Sequence, residues 1–127
     1  MAVARSVANS NDSLLVYPAK KGEELLGYAI KTFSAKGYSG EVWIMAGFTN
    51  EGELTKYEVL EHKETPGLGS KISDEKFINQ FLGIKEVPKV KKDGGDIDAI
   101  SGATISSRAI CEAITKAMET RQALNEN

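Results

Sequence analysis

The chain has 127 residues, of which 41% are hydrophobic and 27% charged, and its formal net charge is −2. This length suits one domain with a single core, and the mixed charges offer no basic face of the kind that nucleic-acid partners require. The single cysteine, Cys111, and the single histidine, His62, exclude an internal disulfide and zinc sites that need several such ligands.

The first residues are too short and too polar a stretch to be a signal peptide. We expect residues 1–12 to be disordered, or to derive from the truncation of a longer protein, and residues 13–127 to form the domain. No stretch of the sequence approaches the length of a membrane-spanning helix.

Alternating apolar residues separated by turn signals predict a mainly antiparallel sheet. Strands are expected at residues 14–17 (ended by Pro18), 26–33, 41–48 and 54–62, with one more within 84–92. Apolar residues at helical spacing predict a short helix at 74–82 and a C-terminal helix from about Ser106 to Leu124. The predicted fold is therefore α+β, a single domain in which helices pack against the sheet.

Glycine motifs for nucleotides are incomplete in this sequence. Gly67 and Gly69 begin a dinucleotide fingerprint, but Ile72 stands where its third glycine belongs. Gly102 is followed by alanine, not by the lysine of a phosphate-binding loop. Nothing supports a Ser-His-Asp triad, so the sequence predicts neither catalytic nor metal-binding residues.

Residues 64–69, Glu-Thr-Pro-Gly-Leu-Gly, interrupt the strand pattern. Pro66 and Gly67 fit the second and third positions of a type II turn. Leu68 then lies at the tip of the turn, where a polar residue would be expected. Its side chain needs a cover, and either a neighbouring core or a flat apolar ligand ring would provide one.

Residues 98–104, Asp-Ala-Ile-Ser-Gly-Ala-Thr, lead directly into the last predicted helix. The N-terminus of a helix offers unpaired N–H groups and the positive end of its dipole, which together suit a phosphate. Thr104 presents a hydroxyl at this place, and Ser106 and Ser107 offer caps or further donors. A plain helix cap and a phosphate site are both compatible with the pattern.

The two stretches together resemble the FMN-binding domain family. Residues 98–104 match its flavinylation motif, Asp-x-x-(Ser/Thr)-Gly-Ala-Thr, and residues 64–69 look like its other hallmark. The resemblance covers roughly residues 13 to 120. Residues 37–40, 61–63 and 105–109 look more like the Rnf-type branch of the family than the NqrC-type branch.

The resemblance implies an electron carrier with FMN joined by its phosphate to Thr104. A separate flavin transferase makes this phosphodiester from FAD, so a chain produced without export and the transferase would carry a bare threonine. Asp98 would help bind magnesium during attachment or hold the loop, and Leu68 would pack on the flavin ring. The implied cofactor-binding residues are Glu64, Thr65, Gly67, Leu68, Gly69, Asp98, Ser101, Gly102, Ala103 and Thr104.

The resemblance also implies a location and partners. Family members are anchored by one N-terminal transmembrane helix, which this chain lacks, and they carry the flavin domain outside the cytoplasm within an ion-translocating redox complex. The expected partners are the other subunits of that complex and the transferase. Two alternatives stay open: an NqrC-type subunit of a sodium-translocating NADH:quinone oxidoreductase, and a flavin-free interaction or regulatory domain.

Overall fold

A five-stranded antiparallel sheet forms the centre of the computed structural model, which describes residues 5–8 and 13–125. The order of the strands in the sheet is their order in the chain. They are β1 (Arg5–Ala8), β2 (Ser13–Lys21), β3 (Glu24–Ser34), β4 (Val42–Thr49) and β5 (Leu54–Glu61). The predicted α+β fold is confirmed. The first strand belongs to the segment 1–12 that was expected to be disordered or truncation-derived, and the rest of that segment lies outside the described residues.

The central strand β4 shows why one face of the sheet forms the core. Val42, Ile44, Ala46 and Phe48 are buried, whereas the residues between them are partly exposed. Successive side chains of a strand point to opposite faces, so this alternation places one apolar row on one side. This row is the apolar alternation from which a strand at residues 41–48 was predicted.

Strand β2 continues past Pro18, where the sequence analysis ended it. Pro18 pairs with Tyr28 of β3, while β1 reaches only as far as Val16. On its other side, no described residue of β1 pairs with Pro18, so within the described sheet the proline's missing N–H costs no hydrogen bond. The prediction that proline ends the strand was wrong for this reason.

The long helix α2 (Thr104–Asn125) packs its apolar stripe on the buried face of the sheet. Ile110, Ala113 and Ile114 are fully buried. The Thr32 hydroxyl of β3 donates a 2.8 Å hydrogen bond to the carbonyl of Ala113. The helix begins two residues earlier than Ser106, so that Thr104 belongs to its first turn.

Short helical segments connect β5 to α2. These are a 3₁₀ turn (Gly69–Ser73), α1 (Glu75–Ile78) and a second 3₁₀ turn (Asn79–Phe81). The predicted helix at 74–82 is thus only one α-turn that tightens into 3₁₀ geometry, which is common in short connectors. Phe81 packs edge-on against Tyr57 of β5 at a centroid distance of 5.6 Å.

Residues 84–92, all of which the structure describes, do not form the predicted strand, and that prediction was wrong. Val90 instead makes an isolated bridge with Ile97, and Lys91–Asp93 form a 3₁₀ turn. The N–H of Lys91 donates to the Ile97 carbonyl at 2.9 Å, and the N–H of Ile97 donates to the Lys89 carbonyl at 3.1 Å. These bonds pair the end of the segment with its own loop, and at its start the Ile84 carbonyl accepts from the Leu54 N–H of β5 at 2.9 Å, so no strand forms along it.

Within the described residues, none of the helices combines the length and the hydropathy needed to cross a lipid bilayer.

Candidate functional site

Three loops meet at one end of the molecule and enclose a cleft of about 360 Å³. They are the β3–β4 loop, the turn after β5 and the N-terminus of α2. The cleft is lined by Tyr38, Thr65, Leu68, Gly69, Gly102, Ala103, Thr104, Ile105 and Ser106. Its volume is at the small end of the range of ligand sites. The two glycine-rich turns singled out in the sequence are therefore neighbours in space.

The turn at residues 65–68 has the geometry that the sequence predicted. The N–H of Leu68 donates to the Thr65 carbonyl at 3.1 Å, and Gly67 has a φ of 78°. A positive φ at the third position defines the type II turn, and Pro66 occupies the second. The N–H of Gly67 is bound as well, by the Ser70 hydroxyl at 3.0 Å.

No described side chain caps the first turn of α2. Ala103 precedes the helix, and its own N–H donates to the Ile100 carbonyl at 2.9 Å across a turn in which Gly102 has a φ of 77°. Alanine has no side-chain oxygen to accept from the next amides. In the described part of the chain, the N–H groups of Thr104, Ile105 and Ser106 have no acceptor. The cleft therefore contains three unpaired donors at the positive end of a long helix.

The hydroxyl groups near this helix end differ in their contacts. Ser107 is buried, and its hydroxyl accepts from the Ile100 N–H at 2.9 Å while donating to the Ala103 carbonyl at 3.0 Å. The Ser106 hydroxyl donates to the Glu64 carboxylate. The hydroxyl of Thr104 makes no hydrogen bond within residues 5–8 and 13–125 and is partly exposed. Among Thr104, Ser106 and Ser107, Thr104 is thus the residue whose oxygen remains free for chemistry.

Apolar side chains stand exposed at the rim of the cleft. Leu68, Ile105 and Tyr38 expose 44%, 46% and 70% of their surface. A Cβ built on Gly102 would lie 3.3 Å from Leu68 Cδ2, so the leucine side chain rests against that glycine. These three side chains leave apolar area uncovered next to the unpaired amides. A ligand with an anionic end and a flat apolar body matches this arrangement.

Glu64 lies behind the cleft instead of lining it. It is only 5% exposed, and its carboxylate accepts hydrogen bonds from the N–H groups of Tyr38 and Ser39 at 3.0 and 3.2 Å. The Ser106 hydroxyl is its third donor. The carboxylate therefore joins the three loops that form the cleft.

Asp98 and Ser101 face a different groove. The Asp98 carboxylate pairs with Lys91 Nζ at 2.8 Å, and this contact raises the pKa of the lysine. The Gln80 side chain binds the Asp98 backbone, accepting from its N–H at 2.7 Å and donating to its carbonyl at 3.0 Å. Ser101 lines the same neighbouring groove as Asp98. Across the described residues, no cluster of three acidic, histidine or cysteine side chains is suited to a metal ion.

A larger groove of about 590 Å³ runs along α2 and includes Lys36, Cys111 and Glu112. Its central carboxylate is already paired, because Glu112 binds Lys36 Nζ at 3.0 Å and accepts from the Ser34 hydroxyl at 2.8 Å. Burial raises the pKa of the Cys111 thiol to about 12, so the thiol stays neutral and unreactive. Size alone does not make this groove the better candidate.

Tyr38 and Ile105 were not among the predicted site residues, and Ser106 was expected only as a cap or further donor, although all three line the cleft. A signal for Tyr38 was present, since an aromatic residue between two glycines in a loop lacks an obvious place in the core. Ile105 is the apolar residue that departs from the buried stripe of α2.

The FMN-binding domain family matches residues 37–119. The chain is 41% identical over 107 residues to the G subunit of the ion-translocating oxidoreductase complex of Vibrio parahaemolyticus, covering 77% of this chain and 50% of that protein. The corresponding G subunit of Haemophilus influenzae (strain PittEE) is 41% identical over 103 residues, covering 75% and 50%. The chain spans about half the length of the curated relatives it matches.

Two solved structures share the fold. The C subunit of the Na⁺-translocating NADH-quinone reductase from Parabacteroides distasonis has a TM-score of 0.68 and 26% identity, over 85% of this chain and 60% of that one. NqrC of Shewanella oneidensis has a TM-score of 0.71 and 17% identity, over 96% and 70%.

Proposed function

The chain belongs to the FMN-binding domain family, and we propose that it is the flavin-carrying domain of an RnfG protein, the G subunit of an ion-translocating oxidoreductase complex, with FMN attached through its phosphate to Thr104. The relatives at 41% identity support membership in such a complex. The alternative from the same class is an NqrC-type subunit, which the two structural neighbours favour. We place RnfG first because its sequence identity is higher.

The observation that carries the proposal is the free hydroxyl of Thr104 beside three unpaired N–H groups. The cleft contains no basic side chain in its described lining, so backbone amides and the helix dipole would hold the phosphate. Ser106 and Ser107 are less suitable acceptors because their hydroxyls are engaged in hydrogen bonds.

The apolar part of the site suits the flavin ring system. Leu68 and Tyr38 would contact the ring, and Ile105 would border it. In the turn, the N–H groups of Gly67 and Leu68 are used internally, which leaves the Gly69 N–H for the polar edge of the ring. When bound, FMN supplies one-electron transfer, and the protein's part is to hold it at the rim of the domain.

Attachment requires a separate flavin transferase and FAD. The Thr104 oxygen forms a bond to the FMN-side phosphorus, the pyrophosphate bond breaks, AMP leaves, and the hydroxyl proton passes to a base or to solvent. The transferase needs access to the threonine, which its position in the first turn and its partial exposure provide. Asp98 would act by holding the loop through its contacts with Lys91 and Gln80.

We place the domain on the extracytoplasmic face of the bacterial membrane, held by a transmembrane helix outside the present chain. Its partners would be the other subunits of the complex, with which it exchanges electrons. The domain is then an electron-transfer subunit with no substrate site of its own. If the attachment test is negative, the result would instead support a flavin-free interaction domain.

Coexpression with a flavin transferase tests the proposal directly. Intact mass under denaturing conditions should show an increment equal to FMN minus water on the wild-type chain. Thr104→Val keeps the side-chain shape without the hydroxyl and should fold normally but gain no such mass. Thr104→Ser tests whether the transferase also recognises the methyl group. An increment that persists in Thr104→Val would assign the acceptor to another residue.

A further inference from the structure

We infer that Glu64 is a positioning residue for flavin attachment, a role that rests on the proposed function. The carboxylate does not touch the cleft. It acts by fixing the β3–β4 loop, the turn after β5 and the first turn of α2 relative to one another, and so sets the distance between Tyr38 and Thr104.

The hydrogen bonds of Glu64 connect elements that are far apart in sequence. Oε1 accepts from the Tyr38 N–H at 3.0 Å and from the Ser106 hydroxyl, while Oε2 accepts from the Ser39 N–H at 3.2 Å. Tyr38 and Ser106 both line the cleft. A single buried side chain therefore contacts both sides of the site from behind.

The three donors explain why this position carries a carboxylate. An ionised carboxylate is an acceptor at both oxygens, whereas glutamine presents N–H donors at one end. The NH₂ group of a glutamine at residue 64 would replace one of the two oxygens. In one orientation it would face the Ser39 N–H, and in the other it would face the Tyr38 N–H and the Ser106 hydroxyl. A buried donor without an acceptor is costly, so the amide should loosen at least one side of the cleft.

Two glycines allow the carboxylate side chain to lie between the loops. A Cβ on Gly69 would come within 2.8 Å of Glu64 Cβ and would collide with the Ser106 hydroxyl oxygen. A Cβ on Gly37 would lie 3.3 Å from Glu64 Oε2 and would collide with the Gly40 carbonyl. Burying a charge is unfavourable unless it is fully hydrogen-bonded, and this packing provides the bonds. The arrangement is specific for one side chain.

A second hydrogen bond to α2 offers a matched control. The buried Thr32 hydroxyl binds the Ala113 carbonyl at 2.8 Å and, like Glu64, ties α2 to another element. Ala113 lies about two and a half helical turns from Thr104. Thr32→Val should therefore lower stability without disturbing the cleft.

The experiment compares wild type, Glu64→Gln and Thr32→Val. Each purified protein is incubated with transferase and FAD, attachment is followed by intact mass, and melting temperature is measured on the same samples. Both variants should melt below wild type. Only Glu64→Gln should attach FMN more slowly, by about tenfold, as expected for the loss of roughly one positioned hydrogen bond. Its attached flavin should also differ in fluorescence from that of the wild type.

Failure of the two proposals can be told apart. Absence of FMN on the wild-type chain overturns the proposed function. Equal attachment rates and equal flavin fluorescence in Glu64→Gln and Thr32→Val, with a labelled wild type, overturn the role of Glu64. If Glu64→Gln does not fold, Ser106→Ala replaces it, because this variant removes one donor and keeps the carboxylate bound by two amides. An attachment rate in Ser106→Ala equal to that of Thr32→Val then contradicts the inference.

Discussion

At the scale of single residues, environment separates groups of the same chemistry. Ser107 is fully buried and its hydroxyl is used twice, whereas the Thr104 hydroxyl, three positions earlier, makes no bond within the described residues. The motif places a threonine at the mouth of a helix, and the fold leaves its oxygen free. The proposed selectivity for Thr104 over Ser107 would thus have a physical basis besides recognition of the motif by an enzyme.

Leu68 provides a test of the apolar part of the site. We expect Leu68→Asp to leave attachment at Thr104 largely intact, because the leucine does not contact the acceptor oxygen in the proposed arrangement. The charge should expose the flavin ring to water, so that flavin fluorescence and the redox midpoint both change. Fluorescence spectra and a redox titration of the flavinylated protein check this.

Leu82 serves as the control for Leu68. It is exposed to a similar extent, 46% against 44%, but lies outside the lining of the cleft. Leu82→Asp should leave both flavin properties as in the wild type. If Leu68→Asp behaves like Leu82→Asp, then Leu68 is an ordinary surface leucine and does not cover the ring.

At the scale of elements, α2 has two functions. Its buried stripe closes the core against the sheet, and its first turn contains Thr104, the proposed acceptor. The segment after β5 has a similar double role. Its Ile72 carbonyl accepts a 2.7 Å hydrogen bond from the Tyr57 hydroxyl of β5, and its Leu68 lines the cleft. The site is therefore only as rigid as the packing of these two elements.

Truncation of the α2 stripe should lower the stability of the whole domain. Ile110 and Ile114 lie one turn apart and are fully buried. Replacing either by alanine should cost about 2–5 kcal/mol through lost burial and a residual cavity. Urea denaturation followed by circular dichroism measures this. The exposed Gln122 on the same helix gives the control, and a Gln122→Ala loss as large as that of Ile110→Ala would mean that α2 docks through another face.

At the scale of the whole molecule, two buried titratable groups make the fold sensitive to alkali. Burial raises the pKa of Cys111 from 9.0 to about 12, and burial together with the neighbouring Cys111 raises the pKa of Tyr57 above its ordinary 10.0. Both groups stay neutral in the folded chain at pH values at which they are already ionised in the unfolded chain. Their contribution to stability is complete below the ordinary pKa values and is lost as pH rises toward the folded ones.

The free energy of unfolding should therefore decrease from about pH 9 toward pH 12, with Cys111 the first group to contribute. Urea midpoints measured between these pH values test the effect. In Cys111→Ala the decrease should be shallower, because one of the two linked groups is gone. A wild-type midpoint that does not change with pH over this range would show that neither group is linked to unfolding.

The sequence alone determined the features that depend on local rules. Alternation predicted the buried row of β4, and the stripe predicted α2. Pro66 and Gly67 predicted the type II turn, because φ preferences act within one turn. The family resemblance rests on two short motifs, and these were enough to single out Thr104 among the hydroxyl groups near the helix.

Only the tertiary structure decided which groups meet. Pro18 could remain in a strand because no described residue of β1 pairs with it, and Lys89 and Lys91 bond to Ile97 of the following loop instead of adding a strand. Asp98 turned toward Lys91, away from the cleft. Glu64 became a buried link because three donors from distant segments converge on it. Such contacts depend on long-range packing, which no local pattern of residues encodes.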